Sequence, residues 1–297
     1  MRLRPALIVL TLIVALVITG SFVLNQRSGT PNDSATATTA SVSASSEPAI
    51  VPVKTVPVLA LSDPLPTRTL DVPILMYHRI AVLKGDEPAI TVALTVDPGE
   101  FTLQMQWLKD NDYTSITQLD LFNALELGQP LPPKPVLITF DDGYRGIATM
   151  AAPIMTRVGF VGTAYVITNR IATKRKAAPT WLTWSQLRTL EQRGWDIGSH
   201  TVSHQEIPRL PEAEAMKTLR ASRSTLERHL GHPVQWFSYP AGRVSPTAVD
   251  QVRRAGYVLA TTAKSGITQS AADPLQLNRI RISNDSGVRG LAAALSG

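Results

Sequence analysis

Two short segments hold residue types whose spacing suits metal-assisted hydrolysis. The first is Asp141-Asp142-Gly143, which follows the apolar run Val136 to Phe140. Successive residues there point in different directions, so one carboxylate can hold a metal while its neighbour faces a substrate. Gly143 permits the tight turn and close approach that such a site needs. The competing reading is a turn with an aspartate N-cap for the next helix. The second segment is His200-Thr201-Val202-Ser203-His204, two of the five histidines of the chain. A four-residue separation puts both imidazoles on one side of a helical turn, where they can share an ion. With Asp142 the set becomes one carboxylate and two imidazoles. Three N/O ligands with open positions form a catalytic arrangement, not a closed structural one. Zinc fits these ligands; nickel, cobalt or iron would also fit.

The elements that must position these residues follow from periodicity. Strands are expected over 72–77, 136–140, 161–168, 195–199, 234–239, 257–262 and 277–283. Helices are expected over 98–111, 146–158, 184–193, 211–230 and 246–255, with Gly194 as a C-cap and Pro211 in a first turn. Regular alternation of this kind implies an α/β fold with a parallel sheet. An incomplete or distorted (β/α) barrel suits the length better than an open sheet, although periodicity alone does not separate them. Four of the strands end in His78, Asp141-Asp142, His200 and Tyr239-Pro240. In a β/α barrel the C-terminal strand ends converge on one mouth, where active sites are built.

The ends and the composition restrict the setting. The chain has 297 residues, a formal net charge of +6 and no cysteine. Disulfides and a thiol-linked lipid anchor are thereby excluded. Residues 6–24 are almost unbroken apolar sequence, close to the length needed to cross a hydrocarbon core of about 30 Å. Arg2 and Arg4 precede the run, so residues 1–24 read as a membrane anchor that sends the rest outward. A cleaved signal sequence is the rival, in which case the protein is secreted. Residues 25–67 are rich in Ser, Thr, Ala and Pro and read as a disordered linker. Residues 68–297 form the domain. The expected location is the cell membrane with an extracellular catalytic domain. No arginine-rich, aromatic-interleaved stretch supports a nucleic-acid module, and Lys174, Arg175 and Lys176 read as a solvated basic patch.

The segments Thr139-Phe140-Asp141-Asp142-Gly143-Tyr144 and His200-Thr201-Val202-Ser203-His204 resemble the first two signature motifs of the polysaccharide deacetylases with a NodB-type domain, carbohydrate esterase family 4. Phe237-Ser238-Tyr239-Pro240-Ala241-Gly242 resembles their third motif. Pro73-Ile74-Leu75-Met76-Tyr77-His78-Arg79-Ile80 resembles the branch that deacetylates poly-N-acetylglucosamine. This resemblance, over about residues 70–283, implies that Asp142, His200 and His204 bind a divalent metal and that Asp141 is the general base. It implies an oxyanion site around Tyr239, Pro240 and Gly242, with the Tyr239 amide as donor. Much of the family takes the acid for the leaving amine from a histidine near the C-terminus, and none follows His232 here; the resemblance to the poly-N-acetylglucosamine branch, which places that role early in the chain, implies His78 instead, with a buried structural histidine as the competing reading. Ser238 stands where many members carry an arginine that orients the base; Arg279 or Arg281 is the candidate replacement, with a surface or salt-bridge role as the competing reading. His229 and His232 are taken as structural. Trp181 and Trp184 either stack on sugar rings or pack in the core.

The implied substrate is an N-acetylglucosamine polymer: poly-N-acetylglucosamine, peptidoglycan or a chitin-like chain. Two alternatives remain at this point, a glycan-binding module without turnover and a metal-dependent amidohydrolase of a small amide.

Overall fold

A computed structural model describes residues 55–172 and 180–296. Its centre is an eight-stranded sheet: β1 (Ile74–Tyr77), β2 (Thr114–Ser115), β3 (Pro135–Phe140), β4 (Thr163–Val166), β5 (Asp196–Ser199), β6 (Trp236–Ser238), β7 (Leu259–Thr261) and β8 (Ile280–Arg281). The order is β7-β6-β5-β4-β3-β1-β8, with β2 beside the start of β3. Every neighbouring pair is parallel. The central strands are buried along almost their whole length, as expected when helices cover a parallel sheet.

The sheet curls until its two edges share one segment. Leu277 bridges Thr261 in parallel, while Ile280 and Arg281 pair with Leu75 and Met76 of β1. Backbone bonds from Thr262 N–H to the Leu277 carbonyl and from Ile282 N–H to the Met76 carbonyl span 2.9 and 3.0 Å. A flat open sheet does not allow this. The fold is a curled parallel α/β sheet with surrounding helices.

Besides a short turn of helix at Ala89–Ala93, the helices are α1 (Pro98–Asp110), α2 (Gln118–Leu127), α3 (Ala152–Val158), α4 (Trp184–Gln192), α5 (Glu212–Leu230), α6 (Pro246–Arg254) and α7 (Gly287–Leu295). Their ends carry local signals. Thr117 with Asp120 and Thr183 with Gln186 form capping boxes at α2 and α4. Ser245 caps α6, and left-handed glycines close α2, α3 and α5. Pro211 is the N-cap of α5, one position earlier than its expected place in the first turn.

An aromatic column braces the strand ends. Tyr77 and Phe140 stack at 5.5 Å, Phe140 and Trp195 at 5.4 Å, and Phe101 of α1 meets Tyr77 edge-on at 5.2 Å. All four rings are fully buried. Tyr77 and Phe140 immediately precede His78 and Asp141, so this packing holds the two strand ends in register.

Three expectations change. The domain begins before residue 68: Leu59 and Leu61 pack on the core, the Leu59 amide donates to Gln235 Oε1 at 2.8 Å, and Ser62 Oγ donates to Glu126 at 2.8 Å. An apolar residue every second position, between prolines, is enough to anchor a strap that composition reads as linker. Residues 200–204 form a turn, not a helical turn, because Thr201 and His204 take positive φ angles of 66° and 62°. The pair Thr69–Asp71 and Thr268–Ser270 adds a small antiparallel ribbon that periodicity misses. The apolar run 6–24 and most of the expected linker lie outside the described residues. No described helix is long and apolar enough to cross a membrane.

Candidate active site

The ends of β1, β3, β5 and β6 bring His78, Asp141-Asp142, His200 and Tyr239 to one mouth, as the strand pairing requires. Asp142 Oδ1 lies 3.7 Å from His200 Nε2 and 3.6 Å from His204 Nε2. One ligand atom from each of the three residues falls within 4.8 Å of the others. Tetrahedral ligands bonded at about 2.1 Å stand roughly 3.4 Å apart, so the observed edges fit a zinc-sized ion. His200 Nδ1 is 2.8 Å from the Ser238 carbonyl. That carbonyl can only accept, which places the proton on Nδ1 and turns the Nε2 lone pair toward the ion.

The backbone around this cluster is unusual. Asp142, Thr201, His204 and Ala241 have φ values of 73°, 66°, 62° and 55°. Each such residue costs about 1–3 kcal/mol unless its surroundings impose the conformation, and such residues gather at functional sites. Gly143, at φ 81°, faces Val166 so closely that a Cβ would press on its side chain at 3.0 Å.

Asp141 is held differently. Arg279, on the segment leading into β8, grips it with two parallel hydrogen bonds, Nη1 to Oδ1 at 2.8 Å and Nη2 to Oδ2 at 2.7 Å. Arg279 Nε donates to the Thr262 carbonyl at 2.6 Å, and Nη2 also reaches Ser238 Oγ at 3.2 Å. Both partners of the ion pair are almost fully buried. Burial alone would raise the Asp141 carboxyl, but the Arg279 guanidinium and the nearby imidazoles outweigh it and hold it well below the usual carboxylate range. Of the two arginines considered from sequence, Arg279 fills the gap left at Ser238, and Arg281 is exposed beside the mouth.

His78 has a sealed Nδ1 without a hydrogen-bond partner. Burial lowers its pKa to about 4, with help from Arg279 and Arg281 and against the pull of Asp141 and Asp142. It is therefore neutral at physiological pH in the metal-free protein.

The expected oxyanion donor needs correction. The Tyr239 amide donates to the Thr261 carbonyl at 3.1 Å within the sheet ladder, so it is not open to a ligand. Pro240 has no N–H. The next amide, that of Ala241, has no acceptor among the described residues, and its left-handed conformation turns the chain out of the ladder. Gly242, at φ 65°, lies where any Cβ would overlap Ala263. His232 pairs with Glu191 at 2.6 Å, and His229 lies against Trp184 with ring centroids 3.9 Å apart and planes tilted by 55°, while Trp184 packs on the core. Sequence reasoning missed Ala241, and it missed the grouping of Arg79, Tyr144 and Arg170 with Trp181. Only the position of Tyr144, two residues beyond Asp142, signalled the latter.

A carboxylate–imidazole triad able to hold a metal, beside a clamped second carboxylate at the mouth of a curled parallel α/β sheet, has the make-up of a metal-assisted hydrolase. The family model for polysaccharide deacetylases matches residues 128–260. A Bacillus subtilis protein, YxkH, provisionally named a polysaccharide deacetylase, is 30% identical over 211 residues, covering 71% of each chain. A poly-β-1,6-N-acetyl-D-glucosamine N-deacetylase of Staphylococcus epidermidis is 25% identical over 71% of this chain and 79% of its own. Among solved structures, the Streptococcus pyogenes deacetylase PplD in complex with acetate superposes with a TM-score of 0.70 at 29% identity, covering 77% of this chain and 99% of its own. The chain belongs to the polysaccharide deacetylase family.

Proposed function

We propose that the protein hydrolyses N-acetyl groups on an N-acetylglucosamine-containing polysaccharide, releasing acetate and leaving free amines. The observation that carries this is the Asp142, His200, His204 cluster next to Asp141 in its Arg279 clamp. Asp142, His200 and His204 would hold a divalent ion, with zinc the first candidate, which would supply Lewis acidity for the hydrolysis. The protein's own groups do the rest. Asp141 stays ionised through the physiological range and accepts the proton of the attacking water on lone pairs that Arg279 leaves free. The Ala241 N–H donates to the oxygen of the tetrahedral adduct as negative charge develops there. The C–N bond then breaks, and His78 hands a proton to the departing nitrogen. Because burial keeps His78 neutral at rest, the proton it hands over is the one that Asp141 takes from the attacking water and passes on before the C–N bond breaks.

The relative from Staphylococcus epidermidis supports a β-linked N-acetylglucosamine polymer as substrate. The apolar run 6–24 behind Arg2 and Arg4 supports a membrane anchor with the domain outside the cell. The test is acetate release by the zinc-loaded full-length chain from N-acetylglucosamine oligomers and peptidoglycan, with and without chelator. Chelator-sensitive release is expected. No release from any of them with zinc bound would refute the proposal.

A further inference from the structure

Beside the metal cluster stands a four-membered stack. The Arg79 guanidinium lies 4.6 Å from the Tyr144 ring, Tyr144 stacks on Trp181 at 4.5 Å with planes 22° apart, and Arg170 lies 4.6 Å from Trp181. The gap between the two rings is too narrow for a guanidinium, so the arginines occupy the outer faces. Both rings are therefore covered on both sides, and neither offers a face to a sugar. What the stack presents is its edges and two cations.

Its backbone is tied to both metal-binding turns. Tyr144 bridges Trp181, and the Leu182 amide donates to the Gly143 carbonyl at 2.9 Å, next to Asp142. On the other side, the Thr168 and Asn169 amides donate to the Thr201 and Val202 carbonyls at 3.2 and 3.0 Å, inside the His200–His204 turn. Arg170 follows directly and is exposed. No carboxylate pairs with Arg79 or Arg170 among the described residues, and Arg79 Nε is buried without a hydrogen-bond partner. With the Asp141–Arg279 pair neutralising itself, Arg79, Arg170 and the exposed Arg281 leave three guanidiniums around the mouth against Asp142. A divalent ion would add to that positive excess. A neutral sugar polymer gives no reason for such a balance, and the exposed Arg170 guanidinium, 4.6 Å from the Trp181 ring centre, has N–H groups that a carboxylate or phosphate can take.

We infer that the Arg79–Tyr144–Trp181–Arg170 stack is a recognition wall for an anionic group of the polymer, a carboxylate or phosphate on or next to the acetylated sugar. This rests on the deacetylase reading above and narrows its substrate class. The wall selects anionic glycans over neutral ones through binding, so it acts on KM more than on kcat.

The experiment compares kcat/KM of the zinc-loaded full-length chain on three acceptors of matched length. These are neutral β-linked N-acetylglucosamine oligomers, glycan strands bearing lactyl carboxylates, and oligomers joined by phosphodiesters. Calorimetric titration of the same three accompanies it. At least one anionic acceptor should be favoured about tenfold or more at low salt, and the two anionic arms identify the source of the charge. About 0.5 M KCl should shrink the preference severalfold. Arg170→Gln should lower the anionic-to-neutral ratio about tenfold, mainly through KM, and Arg170→Lys should keep more of it. Equal kcat/KM on all three acceptors, or an Arg170→Gln ratio matching the wild type, would overturn the inference. If no acceptor yields acetate, the hydrolytic reading fails, and the wall then stands or falls on whether titration shows the anionic preference.

Discussion

Asp141 and Asp142 are adjacent carboxylates with opposite surroundings, and that contrast sets their chemistry. Asp142 faces two imidazoles; Asp141 is enclosed with Arg279. Breaking a buried ion pair from one side leaves a charge without compensation, at a cost of about 3–5 kcal/mol. Arg279→Gln should therefore lose about that much stability in urea unfolding, together with most activity. His78 gives a pH signature. Its folded pKa is about 4, below the ordinary value of 6.5. Between those two values the unfolded chain binds a proton that the folded chain refuses, so stability falls as pH drops from about 6.5 toward 4. The slope approaches roughly 1.4 kcal/mol per pH unit. Metal-free His78→Gln should lose less stability than the metal-free wild type between pH 7 and 5, as measured by denaturant midpoints. An equal loss would mean that the imidazole is solvated.

At the scale of elements, the strand ends and the turns after them do the positioning. The strands were legible because each is a short apolar run bounded by polar or turn residues, and the acidic pair and His200 were legible because they follow such runs directly. The turns were not. Four-residue spacing of His200 and His204 suggests a helix, yet the structure brings the rings together through left-handed residues, a conformation that residue types other than glycine do not announce. The same blindness moved the proposed oxyanion donor by two positions, since Tyr239 continues the ladder and Ala241 leaves it. Gly242→Ala combines an unfavourable φ with a clash at Ala263. It should displace the Ala241 amide and lower kcat by tenfold or more with little change in zinc content.

At the scale of the whole molecule, the barrel-like curl depends on one segment, residues 277–281, which bonds both edges and carries Arg279 into the site. That arrangement joins stability to catalysis. It was only half legible: two arginines on the last strand were candidates, and nothing in the local sequence distinguishes the inward one. The strap around Leu59 and Leu61 is a second case, hidden by its linker-like composition. Removing residues through 67 should lower stability by about 2 kcal/mol or more relative to a chain beginning near residue 55. Identical melting temperatures for the two would show that the strap contributes nothing.

The central claim is the division of labour between metal ligands and base, and zinc content measured alongside acetate release for Asp141→Asn and His204→Ala tests it most directly. Asp141→Asn should retain near-stoichiometric zinc and fall by at least about a hundredfold in turnover, at a stability cost of about 3–5 kcal/mol for the unpaired Arg279 charge, which keeps its bonds to Thr262 and Ser238. His204→Ala should lose both zinc and turnover. Full activity in Asp141→Asn, or full zinc occupancy in His204→Ala, would contradict the account.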